Sequence, residues 1–307
     1  MDAFGGARLV PAGGAGPEDV LVDGGGRVYA GLADGRVVRL DPAGAPPVTV
    51  ARLPGRPLGL EFLGDDELLV CASDAGLLAV SLDGGGVRTL TDRVAGRRMI
   101  AVNNAAVAGD GTVYFTDSST RFPVPEWRAD LVQRTRSGRL LRRAPDGVVT
   151  ELLGGLEFAN GVALAADGSW VAVAETGACR LHRVWLTGQD AGRSEIFVDG
   201  LSGYPDNLAL GSDGLVWVAL PSQRTALLTR VQRLPTAARS LVRRVPERMQ
   251  PRPKPTVSVV AVDDGGRIVH ELRGVIEGFT LLTGVREVNG TLWFGSLAGA
   301  SVATLQR

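Results

Sequence analysis

The chain is short of most residue types that announce a function. It has two cysteines, Cys71 and Cys179, too few for a disulfide framework. Each lies among apolar, strand-like residues, where a buried free thiol is expected. Two histidines, His182 and His270, argue against a histidine-rich zinc site. Lys254 is the single lysine, so arginine carries almost all the positive charge. Basic and acidic residues balance at 33 each. The basic excess of a nucleic-acid binder is therefore missing, and no nucleic-acid partner is expected. No run of about 18 apolar residues occurs, so no membrane-spanning helix is expected. The start, "MDAFGGARLVPAGGAGPED", lacks the basic head and apolar core of a signal peptide, and a cytoplasmic location is expected. Aromatics make up only 5%, while 42 glycines occur without a collagen-like period. That balance suits short strands joined by tight turns rather than packed helices.

What the chain does contain is a repeat. A short apolar strand, a turn rich in Gly or Asp, and a second apolar strand recur six times, from Val20, Leu60, Ala105, Val162, Leu208 and Val285. The turn residues are Gly26, Asp66, Gly111, Gly168, Gly214 and Gly290. The shorter intervals, roughly 40 to 57 residues, match a four-stranded blade. The pattern predicts an all-β fold, a six-bladed β-propeller, as one domain over residues 1–307. In a closed ring the N-terminal "ARLV" strand would complete the last blade. Two β-sandwiches would need a linker, and no composition break supplies one.

Residues 223–255 interrupt this pattern. Leu227, Leu228, Val231 and Leu234 have helical spacing. Pro235 would end that helix, and Leu241, Val242 and Val245 suggest a second. Nine basic residues and one acidic residue, Glu247, fall between Arg224 and Lys254, leaving 24 basic and 32 acidic residues elsewhere. Two readings stand: a helical cap packing its apolar face on the propeller, or a lid at the channel mouth that attracts anions. Membrane contact through this segment is disfavoured against both.

In a propeller the innermost strands start at one rim of the central channel, so residues of equal register converge there. Eight residues before each turn lie Glu18, Leu58, Asn103, Asn160, Asp206 and Leu282; the next positions are Asp19, Gly59, Asn104, Gly161, Asn207 and Thr283. A lone Asn before a strand is usually a turn residue, and Gly161 reads as a backbone device that starts its strand. Four oxygen-bearing side chains at one register read differently. With no basic residue near them, the two carboxylates would be unpaired and costly to bury. A divalent cation would cancel that charge. The hard oxygen donors suit Ca²⁺, with Mg²⁺, Mn²⁺ or Zn²⁺ as alternatives and Asn207 as a further ligand. The other reading is that these side chains hydrogen-bond strand entrances and channel water.

The segments "GPEDVLVDGGGRVYAGLADGRV", "VNNAAVAGDGTVYFTDSSTRF", "EFANGVALAADGSWVAVAETGACRLHRVWLTG" and "GYPDNLALGSDGLVWVAL" resemble the strictosidine-synthase-like proteins, within the gluconolactonase/senescence-marker/paraoxonase superfamily. The resemblance covers nearly the whole chain and implies a six-bladed propeller. It implies metal ligands at Glu18, Asn103, Asn160, Asp206 and Asn207, and a second, structural calcium beside Asp19 and Asn104, put in doubt because Asn104 stands where Asp is common. It also marks two departures. Leu58 stands where paraoxonases carry a catalytic histidine, and Thr283 stands at the position of the strictosidine synthase glutamate.

The expected activity is a metal-dependent hydrolase of lactones or other esters, of lactonase or arylesterase type, acting on a small molecule. Asp206 is the first candidate for general base, with Glu18 mainly a ligand. The alternatives are a strictosidine-synthase-like condensing enzyme and a non-catalytic binding propeller. Asp117, Ser118 and Ser119 read as a hydrogen-bonded turn, and His182 as an outer-strand residue away from the axis.

Overall fold

The structure, a computed structural model, describes residues 3–84, 86–242, 245 and 256–307. Its strands form six four-stranded antiparallel sheets and one small hairpin, Arg93–Val94 with Arg97–Arg98. The innermost strands are Val20–Val22, Pro57–Phe62, Val102–Val107, Ala159–Leu164, Leu208–Leu210 and Leu282–Val288, for blades 1 to 6. Each of these strands packs beside its neighbours in blade order, and blade 6 returns to blade 1, so the fold is a six-bladed β-propeller. The N-terminal strand Arg8–Pro11 pairs with Ser301–Gln306 as the outer strand of blade 6, with Arg8 opposite Thr304. The ring is thus closed by the two ends of the chain.

Strand alternation explains the core. In Trp170–Glu175, Val171 and Val173 point towards blade 3, while Ala172 and Ala174 point towards blade 5. Both faces are buried, so the strand reads as one apolar run instead of an alternating one. Six buried apolar clusters result, one at each junction between successive blades. The turns take the predicted form: Gly26, Gly111, Gly168, Gly214 and Gly290 all have positive φ. Cys71 and Cys179 are buried free thiols.

The innermost strands enter with an irregularity that the sequence did not announce. Val102 faces Asp117 and Ala105 faces Phe115, leaving an extra residue at Asn103–Asn104. The same step falls between Pro57 and Leu60, between Ala159 and Val162, and between Leu282 and Gly284. In blade 5, Ala219 accepts from the Asp206 amide and donates to the Asn207 carbonyl, so two residues again oppose one. Such β-bulges re-aim side chains away from the ladder.

The structure shows what kind of backbone device Gly161 is. It is not a turn glycine, since its φ is not positive. A Cβ there would collide with the backbone of Asp206, Asn207 and Leu208, which runs alongside in blade 5. The Gly161 amide donates to the Asp206 carbonyl at 3.1 Å.

The connections after each second strand leave from the rim where the innermost strands begin, because Val102 pairs with Asp117, Ala159 with Glu175 and Leu208 with Val218. Three of them carry helices: α1 (Trp127–Gln133) in blade 3, a 3-10 turn at Thr176–Ala178 in blade 4, and α2 (Ala226–Gln232) with α3 (Thr236–Val242) in blade 5. Helix α1 packs against both α2 and α3. Leu228 packs on the propeller, but Leu227, Leu234 and Leu241 are exposed, so the expected apolar face of the insertion is only partly covered. The rest of the basic insertion, residues 243–244 and 246–255 including Glu247 and Lys254, lies outside the described residues.

Candidate functional site

The bulges bring the register residues to the channel rim. Glu18, Asn103, Asn160 and Asn207 are buried, and Asp206 is half-buried. Asn207 Nδ2 donates to Glu18 Oε1 at 3.2 Å. Asn103 Nδ2 donates to Ser118 Oγ at 3.0 Å. The Asn160 side chain hydrogen-bonds the Asp206 carboxylate. Each contact leaves one oxygen over: Glu18 Oε2, Asn103 Oδ1, Asn160 Oδ1 and Asn207 Oδ1 are all buried without a partner. Buried acceptors are normally satisfied. Other unpartnered atoms occur elsewhere, Asp117 Oδ1 and Asp130 Oδ1 among them. Among the described residues only this rim gathers four such oxygens, three at one register of the repeat and the fourth, on Asn207, at the next.

The electrostatics are strained in the same sense. Burial pushes Glu18 well above the usual carboxylate range; the Asp206 and Asp19 charges add to this, while Arg56 and the Asn207 hydrogen bond oppose it. Burial also pushes Asp206 up to about 7, against the hydrogen bond from Asn160 and with help from the Asp19 charge. Among the described residues no three His, Cys, Asp or Glu side chains form a metal-type cluster, so any cation here would depend on amide oxygens.

The expectation that no basic residue lies nearby is corrected. Arg56 acts on Glu18, although its guanidinium also donates to the Gly16 and Leu297 carbonyls. Arg286 lies in the channel wall, 3.6 Å from Asp19 Oδ2 and 2.5 Å from Glu61 Oε1, and donates to the Leu60 carbonyl. Neither arginine was found from the sequence, because each reaches the rim from a different part of the repeat.

Asp19 and Asn104 do a different job from their neighbours. Asp19 Oδ1 accepts from the Val20 amide at 2.9 Å, and Oδ2 accepts from the Leu60 amide in blade 2 at 3.1 Å. Asn104 Oδ1 accepts from the Val162 amide in blade 4 at 2.9 Å. Thr283 Oγ1 donates to the Glu18 carbonyl, stitching blade 6 to blade 1. These oxygens are spent on holding blades together, so Asp19 and Asn104 do not fit a second calcium.

The remaining singled-out residues are structural. Asp117 pairs with Arg139, and Ser119 donates to Asp130. Ser118 is the residue the sequence reading undervalued, since it orients Asn103. His182, on the third strand of blade 4, contacts Glu175 at 2.8 Å. Leu58 is fully buried, with no polar group at that position.

Comparison with known proteins agrees with this architecture. A model of the SMP-30/Gluconolactonase/LRE-like region matches residues 28–248, and one of the strictosidine synthase-like N-terminal region matches residues 2–40. Protein STRICTOSIDINE SYNTHASE-LIKE 10 of Arabidopsis thaliana is 33% identical over 96% of this chain and 87% of its own length. The adipocyte plasma membrane-associated protein of Mus musculus is 31% identical over 95% of this chain and 75% of its own. Among solved structures, a gluconolactonase from Xanthomonas campestris superposes with TM-score 0.67 at 16% identity, covering 98% of this chain and 89% of that one. A calcium-binding regucalcin from Agrobacterium tumefaciens does so with TM-score 0.67 at 16% identity, covering 97% and 92%; at that identity both speak for the fold alone. Blade count, the family-model matches and relatives aligned over nearly the whole of this chain converge: this chain belongs to the SMP-30/gluconolactonase-like propellers, in their strictosidine-synthase-like branch.

Proposed function

We propose that the chain is a metal-dependent hydrolase of lactones or other esters, with one divalent cation held by Glu18, Asn103, Asn160, Asp206 and Asn207. The observation that carries this reading is the set of unpartnered oxygens on four of these residues. The donors are all hard oxygens, two carboxylates and three amides, which fits Ca²⁺ best. A bound cation would neutralise the paired carboxylates and polarise a substrate carbonyl.

The protein's own groups divide the remaining work. Asp206, half-buried and facing the channel, is suited to accept a proton from an attacking water. Asn160 orients that carboxylate. Glu18, more deeply buried and held by Asn207, is suited to binding rather than proton transfer. Ser118 accepts from the Asn103 amide nitrogen and so leaves the Asn103 oxygen as the group without a partner. The condensing alternative finds less support: Thr283 carries no acid and spends its hydroxyl on the Glu18 carbonyl, while Glu287 is engaged at the far turn by Ser212 and Gly290.

The test is metal analysis of the purified protein, paired with a lactone and aryl-ester screen with and without chelator. Bound calcium and chelator-sensitive turnover are expected. Full metal loading without turnover across the panel would favour a binding propeller, and turnover unaffected by complete metal removal would defeat the proposal.

A further inference from the structure

A second polar feature lies on the same face as the channel entrance. Between α1 and α3 there is a cavity of about 310 Å³ whose walls include Arg121, Gln133, Arg134, Thr135, Arg239 and Ser240. Among the described residues no carboxylate lines it. Arg134 is already committed, because its guanidinium grips both oxygens of Glu157 at 2.8 and 2.6 Å. Arg121 and Arg239 make no ion pair with a described carboxylate, and Arg239 reaches only the Thr236 hydroxyl, at 3.0 Å. Two donors in the wall, Gln133 Nε2 and Arg239 Nε, are buried without an acceptor. Two buried acids adjoin the wall, Glu157 held by Arg134 and Asp130, which accepts from the hydroxyls of Ser119 and Thr135 and also feels the charge of Arg121.

Thr135 and Ser240 already donate their hydroxyls to Asp130 and to the Thr236 carbonyl, so the donors the cavity still offers are the Arg121 and Arg239 guanidiniums and the Gln133 amide, with no anion among the described wall residues to receive them. Buried donors left unmatched are costly, and paired guanidinium donors are the usual recognition chemistry for an oxyanion. The space exceeds a bare phosphate group, leaving room for an organic remainder. A concave site on α1 and α3 suits a soluble molecule better than a flat lipid surface.

We propose that this cavity is an anion-binding site that takes the phosphate group of a soluble small molecule. It is independent of the metal reading, so either can fail without the other.

Calorimetric titration of the full chain with inorganic phosphate at low ionic strength tests the proposal. One saturable site is expected. Arg121→Gln combined with Arg239→Gln should weaken it by roughly tenfold or more, the loss of charge-assisted hydrogen bonds. Arg97→Gln with Arg98→Gln, in the exposed hairpin of blade 2, should leave it unchanged. Gln133→Leu removes one unmatched donor without touching charge and should weaken binding severalfold, which guards against misfolding of the double variant. Absence of saturable binding would overturn the site. Equal weakening in both arginine pairs would do the same, since it would mean diffuse attraction. Binding to phosphatidylserine vesicles without binding of free phosphate would also overturn it.

Discussion

Asn207 Nδ2 donates to Glu18 Oε1 at 3.2 Å, joining the entrance of blade 5 to that of blade 1. The contact uses one polar atom of each side chain and leaves Asn207 Oδ1 and Glu18 Oε2 facing no partner. If a cation completes them, removing one oxygen from the set should weaken its binding without unfolding the ring. Asn160→Leu should lower calcium affinity by about tenfold or more, read by calorimetry. Asp206→Ala should abolish both calcium binding and turnover; normal turnover in that variant would be incompatible with the proposed site.

The cation-free protein should become less stable as the pH rises from acid to neutral. Asp206 keeps its proton up to about pH 7 in the fold, whereas an unfolded Asp releases it near pH ~4. The folded state therefore binds more protons between these values, and stability falls as pH rises through that window. Calcium should reverse the trend. Thermal melts at pH 6 and pH 8, with chelator and with calcium, check this: calcium should raise Tm more at the higher pH.

Arg286 should matter for stability and not for the cation. It holds Asp19 and Glu61 together inside the channel wall. Arg286→Leu would leave the buried Asp19 and the half-buried Glu61 without their partner, at a cost on the order of 3 kcal/mol. Urea denaturation should report that loss. Metal analysis should still find a single equivalent of calcium, because the Leu60 amide and the Val20 amide continue to occupy Asp19.

Gly161→Ala should be costly although alanine is small. The added carbon meets the blade 5 backbone at Asp206 to Leu208, and backbone cannot rotate away as a side chain can. Overpacking of this kind costs roughly 1–3 kcal/mol. The shift would also displace Asp206, so calcium affinity should fall together with Tm. A variant with an unchanged melting temperature would mean that the two blades do not approach this closely.

Much of this molecule was legible in its sequence. Repeating turns at Gly26, Gly111, Gly168, Gly214 and Gly290 announced the blades, since a positive φ is cheap only for glycine. Counting back from those turns selected Glu18, Asn103, Asn160 and Asp206, because equal register in a closed ring means a shared rim. Gly161 was legible as a backbone device but not as which kind, since a turn glycine and a close-approach glycine look the same in one dimension.

The sequence by itself determined the number of blades, the rim residues and the basic insertion, all of which depend on local periodicity and composition. Tertiary structure decided which oxygens are free. Asn103 and Asn104 are adjacent and chemically identical, yet Asn104 spends its oxygen on the Val162 amide of the next blade while Asn103 keeps its own. The bulge at their strand entrance and the packing of blade 4 against blade 3 separate the two roles. Arg286 reached Asp19, and α1 met α3 around the arginine-lined cavity, for the same reason: their partners lie far away along the chain, and only closure of the ring brings them together.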